Sequence, residues 1–204
     1  MTDPEEGLAR LRAGNARFVA NQLSLTASDL ERLRLSEGQE PFAVILGCSD
    51  SRVPTELVFD QGLGDLFVIR VAGNIVAPSQ IGSVEFAAQN FGTKLVVVLG
   101  HTHCGAVEAT IDELQRPAEK QSRNIAAIVG RIQPSVMDLL ERGDIASRDE
   151  LIHKAVRENV RYSANALRHG SEIIEELIGN GELLIVGAEY ALHTGVVEFF
   201  DGTP

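Results

Sequence analysis

The chain has 204 residues, 44% apolar and 23% charged, with 19 Gly, 7 Pro, two Cys and no Trp, a composition that excludes disordered, collagen-like, coiled-coil and disulfide-scaffold classes. Eighteen Lys and Arg against 29 Asp and Glu give a formal charge of −11. That field repels phosphate backbones and anionic lipid, and no local basic patch offsets it, so neither a nucleic-acid nor a membrane partner is expected.

The length supports one domain spanning 1–204. The apolar run at 95–99 falls far short of the ~18 residues of a membrane span. The N-terminus, MTDPEEGLARLRAGNARF, shows no export pattern, which makes the cytoplasm the expected compartment. Asp3-Pro4-Glu5-Glu6 reads as a capped helix start, followed by a stripe of Leu8, Leu11, Phe18 and Val19. A second short helix is expected over 27–35. The apolar runs at 41–47, 66–71 and 95–100 have strand length and many branched side chains, which predicts strands buried on both faces. Between the last two, Ile81, Val84 and Ala88 recur at turn spacing and predict a helix over 80–91, hence a parallel crossover.

Beyond Cys104 a mostly helical half is expected, with a loop near Arg116-Pro117 and a break near Gln133-Pro134. Its best periodic piece is 150–169, where Leu151, Ala155, Val156, Val160, Ala164 and Leu167 form an apolar stripe. Residues 183–187 supply a fourth buried strand and 195–200 an edge strand. The fold class is therefore α/β, with a mostly parallel central sheet of four strands plus an edge strand and helices on both faces.

Chemistry-bearing residues gather at the C-terminal ends of predicted parallel strands, where open α/β sheets place ligands. Cys48 follows the first strand, and His101 and Cys104 follow the third in the string GHTHCGA. Neighbouring strands lie about 4.8 Å apart, so these residues can converge on one ion with a fourth tetrahedral position open. One Zn²⁺ per chain fits such a Cys2His set best. Two other readings compete: cysteines as buried apolar fillers, and a disulfide, which a cytoplasmic chain disfavours. The set is favoured because these are the only two cysteines and one lies three residues from a His.

Cys48 opens CSDSRVP, in which Asp50 and Arg52 are spaced to pair. On an open surface such a pair contributes ~0–1 kcal/mol. Beside a metal, Asp50 held by Arg52 would accept the hydrogen of a zinc-bound hydroxide and orient it.

Together CSDSRVP, RVAGN and GHTHCGA resemble the β-class carbonic anhydrases, and the likeness extends through GSVEFA to the closing GAEYALHTGVVEFF. The resemblance implies zinc on Cys48, His101 and Cys104, a catalytic dyad of Asp50 and Arg52, and CO₂/bicarbonate as substrate. It implies a parallel sheet core with an N-terminal helical arm, residues 1–35, embracing a second subunit in a homodimer or homotetramer. It also implies a substrate pocket built from Gln39, Phe67 and Phe86, the last standing where many members have Tyr. Some members carry a non-catalytic bicarbonate pocket with a Trp at the position of Ile45, and there the aspartate moves onto zinc. With Ile45 in place, Asp50 is expected to stay on Arg52.

The implied reaction is attack of zinc hydroxide on CO₂, giving bicarbonate and a proton. Two thiolates and a neutral imidazole cancel the charge of Zn²⁺, so its water should be less acidic than the pKa of about 7 in a three-histidine site, and activity should rise on the alkaline side. Hydrolysis of CS₂ or COS on the same scaffold is one alternative. A non-catalytic protein with structural zinc is the other, and Asp50 with Arg52 counts against it. His103 reads as a solvent-facing imidazole rather than a ligand, and His153, His169 and His193 as surface or structural. Gly47, Gly100 and Gly105 read as sites of close backbone packing. Gly73-Asn74 reads as a turn beside the site, whereas Gly62-x-Gly64 is too short for a dinucleotide loop.

Overall fold

In the computed structural model, which describes residues 2–25, 28–115, 122–142 and 145–204, the apolar runs become five strands of one sheet. They are β1 (Ala43–Gly47), β2 (Leu66–Arg70), β3 (Leu95–His101), β4 (Leu184–Tyr190) and β5 (Val197–Asp201), ordered β2-β1-β3-β4-β5. All pairings are parallel except the antiparallel β4–β5 edge. Every residue of β1 and β3 is buried, as expected of strands covered on both faces.

Successive side chains point to opposite faces, which splits the core in two. Ala43, Ile45, Val97, Leu99, Val186 and Ala188 face α1 (Pro4–Val19) and α3 (Thr55–Val58). Val44, Leu46, Val96, Val98 and Ile185 face α4 (Pro78–Phe91), α7 (Arg148–Arg168) and α8 (Glu172–Gly179). A third cluster lies beyond the C-terminal strand ends, where α5 (Gly105–Gln115), α6 (Arg123–Arg142) and α7 enclose Cys48 and Cys104. Among the described residues no helix is long and apolar enough to cross a membrane.

The N-terminal region behaves as two different pieces. Helix α1 is capped by Asp3 with Pro4 and two acids in its first turn, and it packs on its own sheet through Leu8 and Leu11. The approach is close enough that a Cβ on Gly14 would fall 1.8 Å from the Phe59 carbonyl oxygen. Buried Asn15 donates to the Val58 and Gly195 carbonyls at 3.1 and 2.8 Å and accepts from the Val197 amide at 2.8 Å. Helix α2 (Asp29–Leu35), by contrast, buries none of its residues, and Leu30 and Leu33 are 79% and 70% exposed.

Several boundaries differ from the sequence reading. The first and second strands are shorter than expected, the third ends one residue later at His101, and the edge strand runs two residues later at its start. The fourth continues through Gly187, which does not end it. There a Cβ would meet Val160 Cγ1 at 2.8 Å and Asp201 Cβ at 3.0 Å, so glycine admits close packing of α7. The expected break at Gln133-Pro134 is absent. Helix α6 runs through Pro134 because Val129, Ile132 and Val136 hold one buried stripe across it, while Pro134 and Gly130, whose carbonyl the proline leaves unbonded, lie on the exposed side. Helix α3 was not anticipated, and α8 falls in the half expected to be mostly helical. Ala27, the expected start of the second helix, and the loop near Arg116-Pro117 lie outside the described residues.

Asp60 ties the segment after α1 to the end of α3. Fully buried at its side chain, it pairs with Arg17 and accepts from Ser24 Oγ at 2.7 Å and from the Ser24 and Leu25 amides, each at 2.8 Å. Burial alone would raise its pKa, but Arg17 and the three Ser24 and Leu25 donors outweigh burial and hold the carboxyl at about 2. A pKa depressed from the ordinary ~3.9 gives stability that is present above pH ~4 and lost as pH falls toward 2. Asp60→Asn should lower the unfolding free energy by about 2 kcal/mol at pH 7. The gap from the unsubstituted chain should close as pH falls from about 4 to about 2, which urea titrations across that range would measure.

Candidate active site

Strands β1 and β3 run parallel in register, with Gly47 opposite Leu99, so both chains leave the sheet at the same end. Cys48 is the first residue past β1, His101 is the last residue of β3, and Cys104 follows after a reversal in which His103 takes φ 53°. The Thr102 amide bonds the Tyr190 carbonyl at 3.0 Å, extending the β3–β4 ladder to the edge of the site. All three side chains are buried, with ligand atoms within 4.8 Å of one another.

The sulfurs of Cys48 and Cys104 stand 4.0 Å apart and are not bonded. This answers the disulfide alternative, since an S–S bond is about 2.05 Å. Two thiolates ~2.3 Å from one tetrahedral ion lie about 3.8 Å apart, close to the spacing observed. His101 Nδ1 is 2.9 Å from the Thr102 carbonyl, which only accepts, so Nδ1 carries the hydrogen and Nε2 presents its lone pair. That Nε2 is buried and has no hydrogen-bond partner among the described residues. A buried unpaired nitrogen beside two thiols is unfavourable as apolar filler and suitable as a metal ligand.

The thiols are not equivalent. Cys48 is lowered to about 4, chiefly because Cys104 hydrogen-bonds to it, with His101 and the Gly73 and Asp50 amides also opposing burial. Cys104 is pushed up by donating that bond, by burial and by the charge on Cys48. One negative charge is therefore easily held, and a second calls for a cation.

Asp50 stands at the mouth of this cluster. Its Oδ1 accepts from the Arg52 amide and Nε, both at 2.9 Å, and its Oδ2 from Arg52 Nη2 at 2.7 Å. Arg52 also donates to the His103 carbonyl at 3.2 Å. These bonds hold the Asp50 carboxyl well below the usual carboxylate range. Oδ2 lies 3.8 Å from His101 Nε2, so an acceptor-only group borders the position a metal would take. Ile45 is fully buried in the core between the sheet and α1.

The sequence reading placed Gly73-Asn74 as a turn beside the site, and missed Arg70. Arg70 donates from Nε to the Cys48 carbonyl at 3.0 Å and from Nη2 to the Asp50 carbonyl at 2.6 Å, and the Gly73 amide of that turn donates to Cys48 Sγ at 3.3 Å. Both lie in the stretch RVAGN, in which a charged residue at the end of an apolar strand run was the available signal for Arg70. Gly100 does serve close packing, with Val160 Cγ2 at 2.5 Å from a built Cβ, whereas the space around Gly105 is open. His103 is exposed, with Nδ1 3.8 Å from Glu108.

Gln39, Phe67 and Phe86 lie elsewhere. The Phe67 and Phe86 rings touch at 6.2 Å, and each meets Phe91, at 5.9 and 5.6 Å. Gln39 and Phe91 line one cavity of about 570 Å³. Gln39 precedes β1 and Phe91 precedes β3, so this group lies at the end of the sheet opposite Cys48. The seven residues of β3 separate the two ends by about 20 Å.

A family model described as carbonic anhydrase matches residues 43–197, well over half of the chain. The chain belongs to the β-class carbonic anhydrases. Carbonic anhydrase 2 of Mycobacterium tuberculosis is 41% identical over 196 residues, covering 95% of this chain and 91% of that one. The carbonic anhydrase of Mycolicibacterium smegmatis is 39% identical, covering 97% and 93%. The crystal structure of the β-carbonic anhydrase CafA of Aspergillus fumigatus superposes with a TM-score of 0.76 at 25% identity, covering 98% of this chain and 91% of that one. As a carbonic anhydrase the chain is an enzyme.

Within this β-carbonic anhydrase the two carbonyls held by Arg70 fix the path from Cys48 to Asp50. Arg70→Ala should lower unfolding free energy by about 1 kcal/mol, the net worth of such bonds where water can reach the freed carbonyls. Arg70→Lys, able to reach one of them, should fall between, and chemical denaturation would rank the three proteins.

Proposed function

We propose that the chain catalyses reversible hydration of CO₂ to bicarbonate and a proton, with one zinc ion held by Cys48, His101 and Cys104. The observation that carries this reading is the buried, unpaired Nε2 of His101, set between two sulfurs and an arginine-held carboxylate. When bound, zinc supplies the Lewis acidity that makes water a nucleophile near neutral pH. The protein residues do the rest. Asp50, ionised and with both oxygens already bonded to Arg52, has lone pairs only to offer, so it accepts a hydrogen from the attacking water and aims the water's own lone pair at carbon. Arg52 keeps that carboxylate ionised and ties it to the His103 carbonyl. Three ligands with a carboxylate at the remaining side suit an open catalytic site better than a closed structural one.

We also propose that two chains complete each pocket. Gln39, Phe67 and Phe86 reach a metal site only if they belong to a second copy, and a twofold axis that brings one chain's Gln39 end to the other's Cys48 end does so reciprocally. Exposed Leu30 and Leu33 on α2, and half-exposed Phe86, offer the apolar area such a contact needs.

Purified protein should carry one zinc per chain. Asp50→Ala should keep that zinc and lose hydration about 100-fold, measured by metal analysis with stopped-flow CO₂ hydration; full activity in Asp50→Ala, or a chain without stoichiometric metal, would overturn the reading. H₂S release from CS₂ exceeding CO₂ turnover would move the substrate assignment to the sister reaction.

Co-expression tests the shared pocket. A Cys104→Ser chain and a Gln39→Ala/Phe67→Ala chain should each be inactive alone and regain activity together. No recovery in mixed dimers would show that the two groups do not meet.

A further inference from the structure

Gly73 is held on both sides of its Cα. Its amide donates to Cys48 Sγ at 3.3 Å, and its carbonyl accepts from Asn159 Nδ2 at 2.8 Å. Gly73 sits in a tight turn at Ala72–Asn74 with φ 71°, and a Cβ there would meet Ile132 Cδ1 at 2.7 Å and Ala106 Cβ at 3.1 Å. Helices α5 and α6 thus press on the turn while Asn159, from α7, anchors the Gly73–Asn74 peptide plane. The N–H that meets the sulfur belongs to the preceding Ala72–Gly73 plane; the two planes meet at the Gly73 Cα, and with the packed turn limiting φ and ψ there, an anchored second plane restrains the first.

Asn159 is buried, and its Oδ1 has no partner among the described residues. A buried amide with an unpaired oxygen is a net cost to folding, so packing alone does not account for it. What its side chain does make is the one bond to Gly73. We infer that Asn159 is a positioning residue for the metal centre: by anchoring the Gly73 carbonyl it holds the turn whose preceding peptide aims an N–H at the Cys48 thiolate and orients that ligand. The inference rests on the proposal that Cys48 ligates zinc.

Residues that orient a ligand from outside the metal's own shell typically change metal affinity 10–100-fold when removed. Asn159→Ala should weaken zinc binding by that factor in chelator competition and shift the thiolate-to-metal charge-transfer band of the cobalt-substituted protein. The control is Val160→Ala, on the same helix and packed against Gly100 and Gly187, which should lower the melting temperature yet leave both metal readouts unchanged. Wild-type affinity and band in Asn159→Ala, or an equal loss of affinity in Val160→Ala, would overturn the inference.

Should Asn159→Ala not fold, the unsubstituted cadmium-loaded protein decides it. Scalar coupling between the Gly73 amide proton and ¹¹³Cd is expected if the N–H points at a ligating sulfur, and its absence refutes the arrangement. Wild-type protein without stoichiometric zinc would defeat the functional proposal itself; wild-type zinc with an indifferent Asn159→Ala defeats only this one.

Discussion

Parallel pairing of β1 with β3 is the constraint on which the rest of the molecule depends. It places two chain exits side by side at one end of the sheet, at a spacing of about 4.8 Å. Cys48 and Cys104 come within 4.0 Å of each other although they lie 56 residues apart. His101 gains a second anchor because it is still inside the β3–β4 ladder, opposite Tyr190. Its ring direction is therefore set by the sheet, while the cysteines are set by turns. The backing is equally specific. Without side chains at Gly100 and Gly187, Val160 of α7 packs directly onto β3 and β4.

Electrostatics makes this arrangement incomplete in the metal-free chain. Two buried thiols share one proton, with Cys48 lowered and Cys104 raised, and the imidazole holds an unpaired nitrogen. A divalent cation relieves all three conditions at once, so ligand binding and folding draw on the same free energy. Arg52 and Arg70 supply the positive charge that remains when no metal is considered, and neither points at a sulfur. Arg52 holds the Asp50 carboxylate and Arg70 holds two carbonyls. The cations shape the loop and leave the cluster's own charge for a metal to balance.

Much of this was legible from side-chain pattern alone. Apolar runs of strand length marked every strand, and Cys48, His101 and Cys104 were visible because strand ends are where such sheets put chemistry. Misreadings came where meaning depends on a distant neighbour. Gly187 looks like a terminator until Val160 is seen beside it, and Pro134 looks like a break until Val129 and Val136 are seen to share one buried face across it. Arg70 was hidden because its bonds run to backbone, which no spacing rule encodes, and Gly73 was visible as a turn beside the site but not as a donor to a sulfur. Gln39, Phe67 and Phe86 form a set that local pattern could not assign to either end of the sheet.

That last point carries the largest structural consequence. A strand has two ends, and this fold puts ligating residues at one and an aromatic cluster with a polar cavity at the other. Asp50 remains 17% exposed at its side chain and Arg52 54%, so the single chain leaves its dyad facing solvent on one side. Water on that side would hydrate the carboxylate and weaken every hydrogen bond it makes, since such bonds strengthen as the local dielectric falls. Among the described residues Asp50 and Arg52 keep their solvent-facing side, while Leu30, Leu33 and Phe86 are exposed. In the twofold arrangement proposed above, one contact would match this surplus to this deficit at both sites. Helix α1 would then carry α2 into that contact. The close seat of Gly14 on Phe59 and the three hydrogen bonds of Asn15 fix the helix to the sheet from which the loop carrying Cys48, Asp50 and Arg52 itself emerges.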